Sequence, residues 1–236
     1  MDTLTRLTTA EMLARLVAFD TTSRNSNLGL IGFVREYLEG LGVPCHVIPD
    51  ASGRKANLQA LIGPAVAGGI ALSGHVDTVP VDGQAWSSDP FTLRAENGRL
   101  YGRGTADMKG FVAACLAAVP DLLARGLRRP VHLLITHDEE TDMSGARAVV
   151  GGLDAAFPRP AMCIVGEPSL MQPIQAHKGR LALRVVVRGT AGHSSQPALG
   201  VNAIQAAAAA VCHVAAEAAR FAAEGPFEPG FDPPHT

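Results

Sequence analysis

Residues 69–80 have the sequence GIALSGHVDTVP, an apolar run that ends in a histidine and an aspartate. The run predicts a buried strand that begins after Gly69 and ends near Ser73. Along an extended chain the side chains of His75 and Asp77 point to the same side, so the carboxylate can accept the imidazole N–H and orient the ring. The pair is typical of a metal ligand with a supporting acid. A structural histidine beside a turn aspartate would have the same sequence, so the rest of the chain has to decide.

Acidic residues recur where other apolar runs end. Glu139 and Glu140 follow a predicted buried strand at Val131–Thr136, and Glu167 follows a later strand. Asp107 is predicted to begin the helix that lies between the His75 segment and the strand at Val131–Thr136. In open α/β sheets ligands bind at the carboxyl ends of the strands, and carboxylates that converge there repel one another unless cations neutralise them. One imidazole with several carboxylates suits zinc, cobalt or manganese. The pattern therefore predicts a divalent-metal site, whereas any one of these acids alone would be interpreted as a turn or cap residue.

Helical and strand periodicity alternate along most of the chain. Helices are predicted over residues 8–19, 26–41, 107–125 and 144–150, and further strands over residues 45–48, 57–62, 91–93, 99–101 and 161–165. Pro120 is expected to kink or break the third helix, and the strand at 161–165 is expected to be buried. This order predicts an α/β fold in which helices cover a mixed central sheet.

The pattern changes at Gly179. Leucine and valine alternate with other residues over 181–187, which predicts a one-sided strand, and residues 202–223 predict a long alanine-rich helix. We therefore expect a domain boundary at this point, with a first domain over residues 1–178 that contains the predicted metal site and a second domain over residues 179–236.

Composition narrows the function classes. Hydrophobic residues make up 47% of the chain, charged residues 18%, and the net charge is −2, which predicts a globular protein with neither nucleic acid nor an anionic membrane as partner. Cys115, Cys163 and Cys212 lie in apolar runs and are expected to be buried, reduced thiols. The apolar block at 206–211 is too short to span a bilayer, and the first residues have no signal-peptide pattern. These features predict a cytoplasmic protein.

Four segments carry a resemblance to a known family, and they are SGHVDTVP at 73–80, GRGTADMKG at 102–110, DEE at 138–140 and GEP at 166–168. In order and spacing they resemble the co-catalytic zinc hydrolases, which include aminoacylase, carboxypeptidase G and succinyl-diaminopimelate desuccinylase. Residues 81–91, 177–179 and 225–234 are most similar to the acetylornithine deacetylase branch. The resemblance extends from the first helix to the last residue. It implies a zinc-peptidase-like catalytic domain followed by the first part of an α+β lid or dimerisation domain.

The resemblance also implies a metal-ligand set. Two divalent ions are expected, zinc in the first place and cobalt as the alternative. His75 and Glu167 would bind one ion, Glu140 would bind the other, and Asp107 would bridge the pair. A cis peptide bond between Asp107 and Met108 is implied as well.

The same resemblance implies roles for residues that bind no metal. Asp77 would orient the histidine ligand, and Glu139 would be the general base. His193 would donate a hydrogen bond to the oxyanion in the neighbouring subunit of a homodimer, although a plain turn histidine is the alternative. Lys178 and Arg180 could hold a substrate carboxylate, or could be ordinary exposed bases at a strand edge.

The function expected from the resemblance is deacetylation of a small N-acyl amino acid, N-acetyl-L-ornithine, in arginine biosynthesis. Succinyl-diaminopimelate desuccinylase, or another aminoacylase or peptidase of the same scaffold, is the alternative within the family. A non-catalytic product that binds metal or a partner subunit is the alternative outside it. Family members continue past an inserted lid domain and supply a last histidine to the Glu140 ion. We therefore expect residues 1–236 to be either a fragment of a longer protein or a truncated gene product, and in either case to be inactive without that ligand.

Overall fold

The computed structural model describes residues 6–152 and 156–235. The chain divides into two compact units, Met1–Met171 and Gln172–Thr236. A domain boundary after residue 178, and the function assigned to each domain, stay predictions.

The first unit contains four helices and seven strands among its described residues. The helices are α1 (Thr9–Val17), α2 (Leu28–Gly40), α3 (Lys109–Ala124) and α4 (Ser144–Gly151). The strands are β1 (Cys45–Pro49), β2 (Ala56–Ile62), β3 (Ile70–His75), β4 (Arg94–Glu96), β5 (Arg99–Tyr101), β6 (Val131–Thr136) and β7 (Met162–Val165). The predicted α/β fold is confirmed.

Five of the strands form one mixed sheet in the order β1-β2-β6-β3-β7. β3 runs parallel to both β6 and β7, whereas β2 runs antiparallel to β1 and β6. The carboxyl ends of β3, β6 and β7 therefore share one edge of the sheet. Because β2 runs the other way, its first residue lies at that same edge. We call this end of the strands the active edge, as distinct from the outer strands at the sides of the sheet. It carries the acidic residues singled out in the sequence.

Helices cover both faces of the sheet. Thr8 and Glu11 cap the start of α1 reciprocally, as the sequence predicts. Leu16 of α1 and Leu116 of α3 belong to one buried cluster with Leu133 of β6. The next residue, Leu134, points to the opposite face and packs in a smaller cluster with Val149 of α4. The strands between these two clusters are therefore packed on both faces, which positions their ends.

Pro120 was expected either to kink or to break the third helix. The structure shows no break, and α3 continues through this proline. A proline has no N–H to donate to the carbonyl four residues earlier, here that of Leu116. The Tyr37 hydroxyl of α2 donates to this carbonyl instead, over 3.3 Å. A neighbouring helix thus satisfies the acceptor that the proline leaves free.

Two strand predictions need correction in the first unit. The strand predicted at 91–93 forms three residues later, as β4, where it pairs with β5. The strand at 161–165 exists as β7, but it is not buried, and Met162 and Val165 are each 58% exposed. β7 is the edge strand of the sheet, and its hydrogen-bonded neighbour within the described residues is β3. An apolar run predicts burial only where other elements cover both of its faces.

The second unit contains a short 3₁₀ helix at Pro197–Leu199 and one long helix, α5 (Ala203–Glu224), capped by Asn202. The strand predicted over 181–187 is wrong, since these residues form no ladder with any described residue, and Leu181 is 83% exposed. A strand is stable only when another strand satisfies its backbone groups.

The environments of the cysteines and of α5 also differ from expectation. Cys163 and Cys212 are exposed and Cys115 is half-buried, so the prediction of three buried thiols is wrong. By length and composition alone, α5 could cross a membrane, which the short apolar block at 206–211 did not suggest. Among the described residues it is the one helix of this kind, and it carries charged side chains such as Arg220, so it is weak evidence for a membrane span.

Candidate metal centre

His75 is the last residue of β3, and its side chain is almost fully buried at the active edge. Its Nδ1 lies 3.0 Å from the main-chain carbonyl of Asp77 and 3.4 Å from the Asp77 carboxylate. Both of these partners accept hydrogen bonds, so Nδ1 carries the proton in the neutral ring. The lone pair of Nε2 is therefore directed towards the acidic residues.

Four carboxylates surround Nε2 of His75. Asp107 is nearest, with Oδ1 at 3.0 Å, followed by Glu167 at 3.8 Å and Glu139 at 3.9 Å. Ligand atoms lie within 4.8 Å of one another in two overlapping groups, His75 with Glu139 and Glu167, and His75 with Asp107 and Glu140. One imidazole nitrogen with clustered carboxylate oxygens is a donor set that fits a divalent ion.

The structure thus brings the predicted ligands together, but it groups them differently from the resemblance. Glu139 and Glu167 lie at nearly equal distances from the histidine nitrogen, 3.9 Å and 3.8 Å. The roles of Glu139 as a base and Glu167 as a ligand therefore rest on the resemblance and stay predictions.

The crowding of acids changes the proton affinity of the cluster. Burial raises the pKa of both Glu140 and Glu167, and the nearby charge of Asp107 adds to this rise, whereas His75 opposes it. Burial alone would lower the pKa of His75, but Asp77, Glu167 and Asp107 outweigh it and raise that pKa to about 9. The positive charge of a protonated His75 would offset part of the repulsion among the acids. A bound cation would take over that neutralising charge.

Asp77 connects the histidine to the loop after β6. Its Oδ1 accepts the backbone N–H of Glu139 over 3.1 Å, and its Oδ2 accepts the backbone N–H of Glu140 over 3.2 Å. The Ser23 hydroxyl donates to Oδ2 as well, over 2.8 Å. Burial works against the charge, but hydrogen bonds from His75 and Ser23 outweigh it and hold the pKa of Asp77 below its usual value. Asp77 is therefore a buried anion that positions both the histidine and the two glutamates.

The loop that carries the two glutamates turns at Asp138, which has a left-handed backbone with φ of +59°. Its main-chain carbonyl accepts N–H groups from residues 142 and 143 over 3.2 Å and 2.7 Å. Its side chain forms an ion pair with Lys55 and lies 3.0 Å from Nδ1 of His137. Aspartate is among the few residues that adopt this backbone conformation readily. The tight turn directs Glu139 and Glu140 towards the cluster.

Asp107 enters the cluster from the start of α3, and its side chain is 48% exposed. The peptide bond between Asp107 and Met108 is cis, as the resemblance implies. Two residues on, Lys109 is fully buried and donates to the carbonyls of Leu16 and Phe19 over 3.1 Å and 2.9 Å. This lysine fastens the start of α3 to the carboxyl end of α1, which places the preceding aspartate.

Three of the predicted site residues, His193, Lys178 and Arg180, belong to the second unit. Nδ1 of His193 accepts the backbone N–H of Ser195 over 3.1 Å, so the neutral ring carries its proton on Nε2. Lys178 donates to two main-chain carbonyls, those of Pro233 and His235, at 2.6 Å and 2.7 Å. Arg180 is exposed. Their roles stay predictions.

The sequence did not reveal the supporting residues Ser23 and Lys55. Ser23 contacts Asp77 and Lys55 contacts Asp138, and in each pair the two residues are more than 50 positions apart in the sequence. Asp138 itself was part of a recognised segment, but its sequence context gave no role for its side chain. No local signal marks such contacts, because they depend on the order of strands in the sheet.

Comparison with known proteins identifies the family. Residues 71–228 match the model of peptidase family M20/M25/M40. The chain belongs to peptidase family M20/M25/M40. It is 43% identical over 199 residues to an acetylornithine deacetylase from Proteus mirabilis, an alignment covering 84% of this chain and 50% of that protein. The chain thus spans about half the length of the curated relatives it matches. Membership of this metallopeptidase family implies that a divalent metal is used.

Solved structures agree on the fold. An M20 family metallo-carboxypeptidase from Sulfolobus solfataricus aligns with a TM-score of 0.58 at 22% identity, over 70% of this chain and 37% of that one. A tripeptidase from Staphylococcus aureus aligns with the same TM-score, 0.58, at 18% identity, over 86% of this chain and 55% of that one. At these identities the likeness shows a common fold and does not identify a substrate.

Proposed function

We propose that this protein is a metal-dependent amidohydrolase that converts N-acetyl-L-ornithine into L-ornithine and acetate in arginine biosynthesis. The observation that carries the proposal is the 43% identity to an acetylornithine deacetylase over 84% of the chain. The cluster at the active edge supports it, because hydrolysis of a linear amide needs an activated water and a proton donor for the leaving amine. We further propose a cytoplasmic homodimer with no nucleic-acid or membrane partner.

The proposed cofactors are two divalent ions, zinc or, alternatively, cobalt. His75, Asp107, Glu140 and Glu167 would hold them, with Asp107 between the two. When bound, such ions would polarise the amide carbonyl and lower the pKa of a water molecule. The fit rests on the donor set, since the ligand atoms lie within 4.8 Å of one another in each of two groups that share His75.

Glu139 is the proposed general base. Its carboxylate would take a proton from the attacking water and return it to the amine nitrogen as the amide bond breaks. The hydrogen bond from its backbone N–H to Asp77 fixes the position of the residue. The side chain is one-third exposed, so it can reach a substrate from the open side of the cluster.

The second unit would contribute to the site of a neighbouring subunit. Nε2–H of His193 is the proposed donor to the oxyanion of the tetrahedral intermediate, and the protonation of that nitrogen follows from the Ser195 contact. Arg180 and Lys178 are proposed to bind the substrate carboxylate. Lys178 would have to exchange its two carbonyl acceptors for that group.

Substrate profiling of the full-length protein tests the proposal. The purified protein, loaded with Zn²⁺ or Co²⁺, is assayed with N-acetyl-L-ornithine, N-succinyl-diaminopimelate and a dipeptide. We expect kcat/KM to be at least about tenfold higher for N-acetylornithine, which corresponds to about 1.4 kcal/mol of selective transition-state binding. A higher value for another substrate would change the assigned reaction. A metal-loaded dimer with no turnover of any of the three would favour the non-catalytic alternative.

A further inference from the structure

We propose that Lys55 is a positioning residue for the two glutamates at the metal centre, acting through Asp138 and Ser23. The inference deepens the proposed function, on which it rests. Lys55 contacts neither His75 nor any of the proposed metal ligands. It acts instead by fixing the loop on which Glu139 and Glu140 lie.

The position of Lys55 follows from the sheet topology. Lys55 immediately precedes β2, which lies beside β6 and runs antiparallel to it. The start of β2 is therefore next to the end of β6, where the glutamate loop begins. The lysine side chain is 17% exposed and its partner Asp138 is 15% exposed, so the ion pair is largely shielded from water. A shielded pair holds its geometry better than a surface pair, for which water competes.

Six residues form a closed ring of contacts that includes the glutamate loop. Lys55 pairs with Asp138 and also donates to the main-chain carbonyl of Ser23. The Ser23 hydroxyl donates to Asp77 over 2.8 Å. Asp77 accepts the backbone N–H groups of Glu139 and Glu140, and Asp138 precedes these residues in the chain, which closes the ring.

The ring holds the loop at two points. Asp77 holds it by the backbone of the glutamates, and Lys55 holds it by the side chain of the residue just before them. With Lys55 removed, Asp138 would be a largely buried carboxylate without its ammonium partner, and such a charge moves towards water where it can. Rotation of Asp138 would turn the peptide that leads into Glu139, and the ligand and base positions would shift together.

The decisive experiment compares Lys55→Met with Arg54→Met in the full-length protein. Arg54 is the exposed neighbour of Lys55 and lies outside the ring, so its replacement removes the same charge nearby. The readouts are the affinity of the metal-free protein for Zn²⁺ by calorimetric titration, kcat and KM for N-acetylornithine, and the melting temperature. Loss of a residue that supports metal ligands typically weakens metal affinity or activity by about 10–100-fold.

We expect Lys55→Met to weaken Zn²⁺ binding and to lower kcat, each by about tenfold or more, with KM changed by less than about threefold. Arg54→Met should leave all three values near those of the wild type. Lys55→Arg, which keeps the charge and can donate to both acceptors, should restore most of the loss. Asp138→Asn should show the same loss as Lys55→Met, and the double variant should be no worse, because the pair acts as a unit.

Several results would overturn the inference. One is a Zn²⁺ affinity and a kcat of Lys55→Met that both stay within twofold of the wild-type values. Another is an equal loss in Arg54→Met, because the effect would then come from the loss of any nearby positive charge. If Lys55→Met does not fold, the inference depends on Asp138→Asn and fails if that variant binds Zn²⁺ normally. The Zn²⁺ titration needs no substrate. Absence of turnover in the wild type would therefore reject the proposed function and leave the role of Lys55 to be decided by metal affinity.

Discussion

Replacement of Asp77 by asparagine tests whether a buried anion organises the metal centre. The two side chains have the same shape, but one oxygen becomes an NH₂ group. In the structure Oδ1 accepts the N–H of Glu139, and Oδ2 accepts the N–H of Glu140 and the hydroxyl of Ser23. Whichever way the amide is turned, its NH₂ therefore faces a backbone N–H, and one buried donor loses its acceptor.

The magnitude follows from these contacts. An unsatisfied buried donor costs about 1–3 kcal/mol, and each remaining hydrogen bond loses about 1 kcal/mol when its acceptor becomes neutral. Asp77→Asn should therefore lower the free energy of unfolding of the metal-free protein by about 3–5 kcal/mol at pH 7. The measurement is urea-induced unfolding followed by circular dichroism. The matched control is Asp82→Asn, in which an exposed aspartate loses a surface ion pair with Arg24, and which should leave the free energy of unfolding close to the wild-type value.

The pH dependence gives an independent check. Although burial opposes its ionisation, hydrogen bonds from His75 and Ser23 hold the folded-state pKa of Asp77 below the ordinary value. Its contribution is then fully present above the unfolded pKa of about 3.9 and is lost as the pH falls through the folded pKa. The difference between wild type and Asp77→Asn should therefore shrink below about pH 4. A cost below about 1 kcal/mol at pH 7, or a difference that is unchanged on acidification, would refute this account of Asp77.

Three further predictions concern the base, the metal and the packing. Glu139→Gln should lower kcat about 100-fold or more with unchanged Zn²⁺ content, and lost Zn²⁺ would make this residue a ligand instead. Chelation of the divalent ions should lower the melting temperature because the acids then repel one another, and free Zn²⁺ at 100 times the dissociation constant of a site should restore about 2.7 kcal/mol of unfolding free energy for each independent site. Gly145→Ala should destabilise the protein by about 1–3 kcal/mol, because the new Cβ would lie 2.3 Å from the carbonyl oxygen of His137. The control Gly32→Ala, in α2, meets no atom within 4 Å and should be neutral or stabilising in the same thermal melts.

Local sequence patterns correctly predicted the helices and strands that are stabilised by their own residues or whose apolar residues are buried. The capping box at Thr8 and Glu11 begins α1, and the apolar run at Val131–Thr136 is a strand buried along its whole length. The failures lie where a distant partner decides the outcome. α3 continues through Pro120 because Tyr37 satisfies the freed carbonyl, and that hydroxyl lies 79 positions away from its acceptor. β7 has an apolar sequence but lies at the edge of the sheet.

The candidate site divides in the same way. His75, Glu139, Glu140 and Glu167 could be found because each comes shortly after an apolar run, and parallel strands end at a common edge. Asp107 follows no apolar run and was found through the resemblance of the GRGTADMKG segment. The residues that hold them could not, because a sequence predicts strands but not their order. Lys55 lies near Asp138 because β2 is the neighbour of β6 in the sheet. The local sequence around either residue would be the same if β2 lay elsewhere, so it does not predict this contact. The neighbour of β6 thus determines how firmly the glutamate loop is held. For this reason the supporting contacts of a metal centre are properties of the whole sheet, whereas its ligands are properties of single strand ends.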